Sequence, residues 1–149
     1  MFYSLGAHPA FSVRGDFEDY ALEFDRAENL TSHQLEDNLF SGETREVSLD
    51  GRILPLNYSL FEKDAIVLKD FATSSLSLMK NNVPVLKVRF SQFPFLGIWT
   101  KKDAPFICVE PWLGIADSRH STARIVEKEG IQILEPCAEQ SFEWSVEFF

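Results

Sequence analysis

The sequence predicts an all-β fold, an antiparallel β-sandwich, and three observations lead to this class. Short segments that alternate apolar and polar residues, or that are continuously apolar, recur along the whole chain. Turn pairs such as Asp50-Gly51 and Asn81-Asn82 separate several of these segments. No segment shows the sustained 3.6-residue periodicity of an amphipathic helix. About ten or more short strands separated by turns are typical of an antiparallel sandwich.

The first half of the chain contains one clear strand pattern and several weaker ones. Residues 20–25 alternate apolar and charged side chains, which predicts a strand with one buried face. Asp50-Gly51 is the strongest tight-turn signal in the chain, and we expect it to join two strands as a hairpin. One short helical turn is predicted at residues 60–64. A strand is also predicted at residues 2–5. Weaker strands are predicted at residues 31–35, 45–49 and 52–54, of which the last two flank Asp50-Gly51.

The second half of the chain reads as a series of strands in the same way. Asn81-Asn82 lies between the segments 75–79 and 83–90 and therefore predicts a second hairpin. A second short helical turn is predicted at residues 121–127. The remaining strands are predicted at residues 65–69, 95–100, 105–110, 131–134 and 141–148, the last of which alternates cleanly.

Length and charge limit the class of protein. With 149 residues the chain fits one domain, which we assign to residues 1–149. A formal net charge of −9 without a basic stripe argues against a nucleic-acid partner. No apolar run reaches the roughly 18 residues of a membrane helix, and residues 1–6 lack a signal-peptide pattern. The two cysteines, with Cys108 in an apolar strand, are typical of a reducing, cytoplasmic location.

Two polar residues in apolar surroundings are the candidates for acid–base catalysis. His8 is followed by Pro9, which forces extended backbone on the histidine, and histidine exchanges protons near neutrality. Glu110 ends the apolar segment 105–109, where partial desolvation would raise its pKa and strengthen it as a base. The alternatives are a solvated or packed histidine, and a glutamate that caps its strand or pairs with Arg119.

Two further residues are candidates for substrate binding. Trp112, two residues after Glu110, offers a flat apolar face suited to the C–H face of a sugar ring. Asp64 precedes an apolar strand and has an oxygen pair that can accept hydrogen bonds from sugar hydroxyls. An Asx turn is the alternative role for Asp64. Asp117 and Ser118 form a polar loop, for which a turn role is favoured over ligand contact.

The sequence predicts neither a metal site nor a cofactor. His8, His33 and His120 are far apart, and no His-x-x-x-His or Cys-x-x-Cys pair is present. The glycine-rich loops of dinucleotide and nucleotide sites are absent as well, as is the Gly-x-Ser-x-Gly nucleophile motif.

Three motifs occur in order along the chain: Gly-Ala-His-Pro-Ala-Phe at 6–11, Phe-Pro-Phe-Leu-Gly-Ile-Trp at 93–99, and Val-Glu-Pro-Trp-Leu-Gly-Ile-Ala-Asp at 109–117. Together they resemble the aldose 1-epimerase (galactose mutarotase) superfamily, in particular its bacterial galactose mutarotase-related branch. Residues 128–131 and 134–136, with the last strand, extend the likeness over nearly the whole chain. The resemblance implies the C-terminal half of a β-supersandwich of about twice this length. The family's N-terminal half carries a further histidine and an arginine that have no counterpart here.

The resemblance also implies a reaction and its residues. By motif, His8 takes the role of the acid on the ring oxygen of a hexose and Glu110 that of the base on its anomeric hydroxyl, with no cofactor. Asp64 resembles the family's sugar-binding aspartate. These roles imply a bell-shaped pH–rate profile, with Glu110 ionised and His8 protonated between its limbs. The alternative is a truncated carbohydrate-binding member with weak or no catalysis. In either case we expect a homo-oligomer, because half of a supersandwich exposes sheet edges and apolar surface.

Overall fold

Antiparallel strands and short 3-10 turns build the whole structure, a computed structural model that describes residues 1–149. The class predicted from the sequence, an all-β antiparallel sandwich, is confirmed. A six-stranded sheet has the order β2-β11-β10-β7-β4-β5. Its strands are β2 Ala10–Ser12, β4 Leu30–Glu36, β5 Leu39–Val47, β7 Ile66–Leu68, β10 Phe95–Trp99 and β11 Phe106–Trp112.

A five-stranded sheet forms the second layer and has the order β13-β9-β8-β3-β6. Its strands are β3 Tyr20–Phe24, β6 Ile53–Pro55, β8 Ser75–Lys80, β9 Val83–Arg89 and β13 Ser145–Phe148. A small third sheet pairs β1 Phe2–Tyr3 with β12 Gln132–Ile133. The 3-10 turns are Phe17–Asp19, Tyr58–Phe61 and Ile125–Glu127. None of these helical segments has the length or apolarity that crossing a membrane requires.

The core lies between the two large sheets. Because side chains alternate along a strand, each sheet contributes every second residue to it. Leu22 and Phe24 of β3 face this core from the five-stranded sheet, and Ile107 and Val109 of β11 face it from the six-stranded sheet. Cys108, Glu110 and Trp112 of β11 must then lie on the opposite face of the six-stranded sheet. The alternation of β11 thus places Glu110 outside the main core.

One predicted hairpin is wrong, and the reason lies in the layering. Asp50-Gly51 forms a tight turn, with Gly51 at φ 63° and reciprocal backbone hydrogen bonds between Asp50 and Ile53. However, β5 before it belongs to the six-stranded sheet and β6 after it to the five-stranded sheet. The turn therefore carries the chain from one layer to the other. The hairpin between β4 and β5 turns instead at Asp37-Asn38, where both residues have positive φ.

The other predicted elements agree with the structure in position and differ in length. The Asn81-Asn82 turn joins β8 and β9 as predicted, with φ of 48° and 63°. The segment 45–49 is only the end of a strand that begins at Leu39. The segment 141–148 is a strand only from Ser145. Strand β2 was not predicted, because it has only three residues after Pro9.

Candidate functional site

The structure brings His8 and Glu110 into contact although 101 positions separate them in the sequence. His8 Nδ1 and Glu110 Oε2 form an ion pair. Glu110 lies in β11, an interior strand of the six-stranded sheet, and β2 next to it follows directly from the His8 segment. Ala10 is opposite Cys108 in the ladder, and the amide of Ala7 donates to the carbonyl of Pro111 at 3.0 Å. The pairing register thus sets His8 beside Glu110.

The two members of the pair differ in their access to water. The side chain of Glu110 is 8% exposed, whereas that of His8 is 67% exposed. Burial raises the pKa of Glu110, and this effect exceeds the opposing effects of the His8 contact and a hydrogen bond from the Trp112 indole. A carboxylate whose pKa is raised in this way is a stronger base once it is ionised. The pair thus combines a buried base with a proton carrier that faces solvent.

Two glycines make room for the indole of Trp112 beside this pair. A Cβ at Gly97 would lie 2.3 Å from Cη2 of Trp112, and a Cβ at Gly6 would lie 2.6 Å from its Cδ1. Gly97 is the residue directly opposite Glu110 in the ladder. The indole therefore spans the space between the His8 segment and β10. Trp112 is half-buried and packs against a small apolar cluster, which limits the ring surface that a ligand can reach. The cluster consists of Phe40, Val67, Phe95 and Ile115.

Cys108 also belongs to this site, although the sequence did not predict it as a site residue. It is a free, buried thiol, and burial raises its pKa to about 11. Its Sγ, one imidazole nitrogen of His8 and one carboxylate oxygen of Glu110 all lie within 4.8 Å of one another. The spacing of Cys108 and Glu110, two residues apart on one strand, would have indicated their common face.

The carboxylate of Asp64 accepts its hydrogen bond from its own chain neighbour. Asp64 precedes β7, is exposed, and its carboxylate accepts a hydrogen bond from the amide of Ala65 at 2.7 Å. Asp64 has a positive φ of 102°, and its carboxylate contacts the next residue's amide rather than the amide two residues on that an Asx turn uses. Arg119 pairs with Glu36 at 2.8 Å and not with Glu110.

The geometry of the pair differs from the expected one in one respect. The roles that the resemblance implies require the imidazole and the carboxylate to act on two different oxygens of one sugar, but in the structure the two groups touch each other. A cavity of about 480 Å³ lies elsewhere, lined by Phe71, Phe93 and Phe142 among others, and includes neither residue. A ligand that bridges the two groups must therefore separate them, and the exposed His8 side chain is the one free to move.

Two lactococcal proteins are relatives of this chain. The chain is 39% identical over 127 residues to the chromosomal LacX protein of Lactococcus lactis subsp. lactis, and equally to the plasmid LacX protein. In each case the match covers 79% of this chain and 42% of the relative, so the chain spans less than half of the relatives' length. No protein-family model matches the chain.

Solved structures show which fold this is. A galactose mutarotase-like protein from Lactobacillus casei ATCC 334 superposes with a TM-score of 0.87 at 27% identity, covering 100% of this chain and 54% of that one. The galactose mutarotase related enzyme from Lactobacillus acidophilus gives a TM-score of 0.89 at 23% identity and covers 52% of that chain. The chain therefore has about half of a galactose mutarotase-like fold.

Proposed function

We propose that this chain, which has a partial galactose mutarotase-like fold, interconverts the α and β anomers of a hexose. The observation that carries the proposal is the contact between an exposed imidazole and a buried carboxylate. Both come from the motifs that resemble the aldose 1-epimerases. Opening a hemiacetal requires one group that takes a proton and one that gives a proton, and the pair supplies both.

Glu110 and His8 together can carry out both proton transfers that the reaction requires. The Glu110 carboxylate takes the proton of the anomeric O1 while the His8 imidazolium gives its proton to the ring oxygen O5. The C1–O5 bond breaks and C1 becomes a carbonyl. Rotation about C1–C2 presents the other face, and ring closure returns both protons to their donors. Each positioned group contributes about 10²–10⁴-fold in rate.

Substrate entry requires His8 to turn away from Glu110, and its 67% exposed side chain leaves room for that rotation. We propose that the reachable part of the Trp112 ring contacts the sugar, because it lies next to Glu110. We keep Asp64 as a proposed sugar contact at the entry of β7, which requires its hydrogen bond to Ala65 to be exchanged for one to a hydroxyl. The free thiols Cys108 and Cys137 favour a cytoplasmic location.

Polarimetry of freshly dissolved α-D-galactose and α-D-glucose tests the proposal. We expect the wild-type chain to accelerate mutarotation above buffer. His8→Asn and Glu110→Gln should each lower the rate by about 10²–10⁴-fold, since each removes one proton-transfer group. His120→Asn and Glu139→Gln are matched controls, because both positions are exposed and lie outside the pair.

Two outcomes would count against catalysis. Wild-type rates equal to buffer would exclude turnover of these two sugars by the chain. If sugar binding were then measurable by calorimetry, the chain would be a carbohydrate-binding protein, the alternative that a chain of about half the relatives' length allows. Equal rates for the wild type, His8→Asn and Glu110→Gln would show that residues other than His8 and Glu110 carry the catalysis.

A further inference from the structure

The same site contains three side chains of metal-binding type. One nitrogen of His8, the Sγ of Cys108 and one oxygen of Glu110 lie within 4.8 Å of one another. In a tetrahedral zinc site, bonds of about 2.0–2.3 Å hold the ligand atoms roughly 3.3–3.8 Å apart. Small side-chain movements therefore bring these three atoms to the distances that one ion requires.

The backbone holds two of the three ligands in place and leaves the third adjustable. Cys108 and Glu110 project from one face of β11, which is paired on both sides by β2 and β10. Both are buried, at 1% and 6% exposure. His8 closes the cluster from the solvent side with a 67% exposed side chain. A rigid pair with a movable third ligand can take up an ion from solution and release it.

The donor types select the class of ion. A thiolate sulfur, an imidazole nitrogen and a carboxylate oxygen suit Zn²⁺, whereas Mg²⁺ and Ca²⁺ take oxygen ligands. Three protein ligands leave a fourth tetrahedral position for water. We propose that His8, Cys108 and Glu110 form a site for Zn²⁺ or a cation of the same class, and that an ion bound there inhibits the chain.

The ion would bind to the same His8 and Glu110 atoms that transfer protons in the proposed reaction, and this overlap explains the inhibition. This part of the inference depends on the proposed function. Metal binding breaks the S–H bond of Cys108, forms a metal–sulfur bond and releases the thiol proton to solvent. The ion also replaces the proton between His8 and Glu110. The imidazole nitrogen and the carboxylate that hold the metal can then neither give nor take a proton from a sugar.

Cobalt(II) titration of the full chain, first treated with a chelator, tests the metal site without any sugar. A thiolate ligand gives Co²⁺ a near-ultraviolet charge-transfer absorption. We expect this band in the wild type at one ion per chain, with loss of the band when Zn²⁺ is added. Cys108→Ser should abolish the band, whereas Cys137→Ser should retain it, because Cys137 is exposed and outside the cluster. Absence of the band, or its loss only in Cys137→Ser, would overturn the proposal.

Inhibition is measured separately by polarimetry, with Zn²⁺ added and then removed by chelator. We expect a reversible loss of rate, with each variant compared with its own metal-free rate. The half-inhibiting concentration should be at least about 10-fold higher in Cys108→Ser, because even the loss of a group that only supports a ligand weakens metal binding by about 10–100-fold. A cobalt band without turnover would support the metal site and contradict the proposed function. A cobalt band with a rate that is insensitive to Zn²⁺ would overturn the inhibitory role.

Discussion

The buried position of Glu110 affects both its strength as a base and the stability of the fold. The Glu110 side chain, which is 8% exposed, loses most of its hydration, and this raises its pKa. The His8 contact and the Trp112 hydrogen bond return part of that loss. A base in a buried position is therefore obtained at the expense of stability, which is the usual trade-off at functional sites.

This trade-off predicts that Glu110→Gln stabilises the fold at neutral pH. Because the folded-state pKa of Glu110 is raised, its protonated form favours folding below the unfolded pKa, near 4.5, and that contribution disappears as the pH rises through the folded pKa. Glutamine does not titrate. The variant should thus have the same Tm as the wild type at low pH and a higher Tm near pH 7.

Calorimetry at a series of pH values, on chelator-treated protein, measures this difference. Glu139→Gln is the control, since Glu139 is exposed and its replacement should leave Tm nearly unchanged at every pH. A variant that is less stable than the wild type at pH 7 would show that the His8–Glu110 ion pair outweighs the burial of the carboxylate.

At the scale of the elements, β11 and β10 show how much of the site could be predicted from the sequence. The apolar segments located both strands, and Glu110 stood out as a charge at the end of the predicted segment 105–110, although β11 continues to Trp112. Strand alternation could also have placed Cys108 and Glu110 on one face. The partner of Glu110 could not be derived from local pattern, because the pairing of β2 with β11 is a contact of distant segments. Only the resemblance to a known family linked His8 to Glu110.

The role of Gly97 is the clearest feature that the sequence could not show. A glycine within a strand indicates close approach of another group, but the identity of that group depends on the fold. Here the group is the indole of Trp112, which covers Gly97 opposite Glu110. The same limit explains the error at Asp50-Gly51, since a tight turn does not determine whether the following strand stays in the same sheet.

Gly97→Ala should therefore destabilise the protein through Trp112. A new Cβ would lie 2.3 Å from Cη2 and 2.5 Å from Cζ2, so the ring must move, at a cost of about 1–3 kcal/mol. Urea unfolding of Gly97→Ala, Trp112→Ala and the double variant measures this. In the Trp112→Ala background the Gly97 change should cost much less, because the ring is gone. Equal costs in both backgrounds would mean that Trp112 is not the group that requires glycine.

At the scale of the molecule, the sandwich leaves apolar side chains exposed at the edge of its five-stranded sheet. β13 is an edge strand, and Phe148 within it is 72% exposed. Phe149 is 66% exposed, and its amide donates to the carbonyl of Val85. Val83, at the start of the neighbouring strand β9, is 63% exposed. An exposed strand edge beside apolar side chains is the kind of surface that pairs with another chain.

We therefore expect copies of this chain to associate through the β13 edge. Sedimentation equilibrium over a range of concentrations should show a dimer or a larger assembly. Replacing Phe148 and Phe149 together by serine should weaken association at least about tenfold, since burying each phenylalanine contributes about 1.5–3 kcal/mol. Ile125→Ser with Val126→Ser is the matched control, because these side chains are also exposed, at 52% and 48%, but lie in a 3-10 turn outside both large sheets. A wild-type monomer at all concentrations would rule out self-association, and an unchanged assembly in the phenylalanine variant would place the interface on another surface.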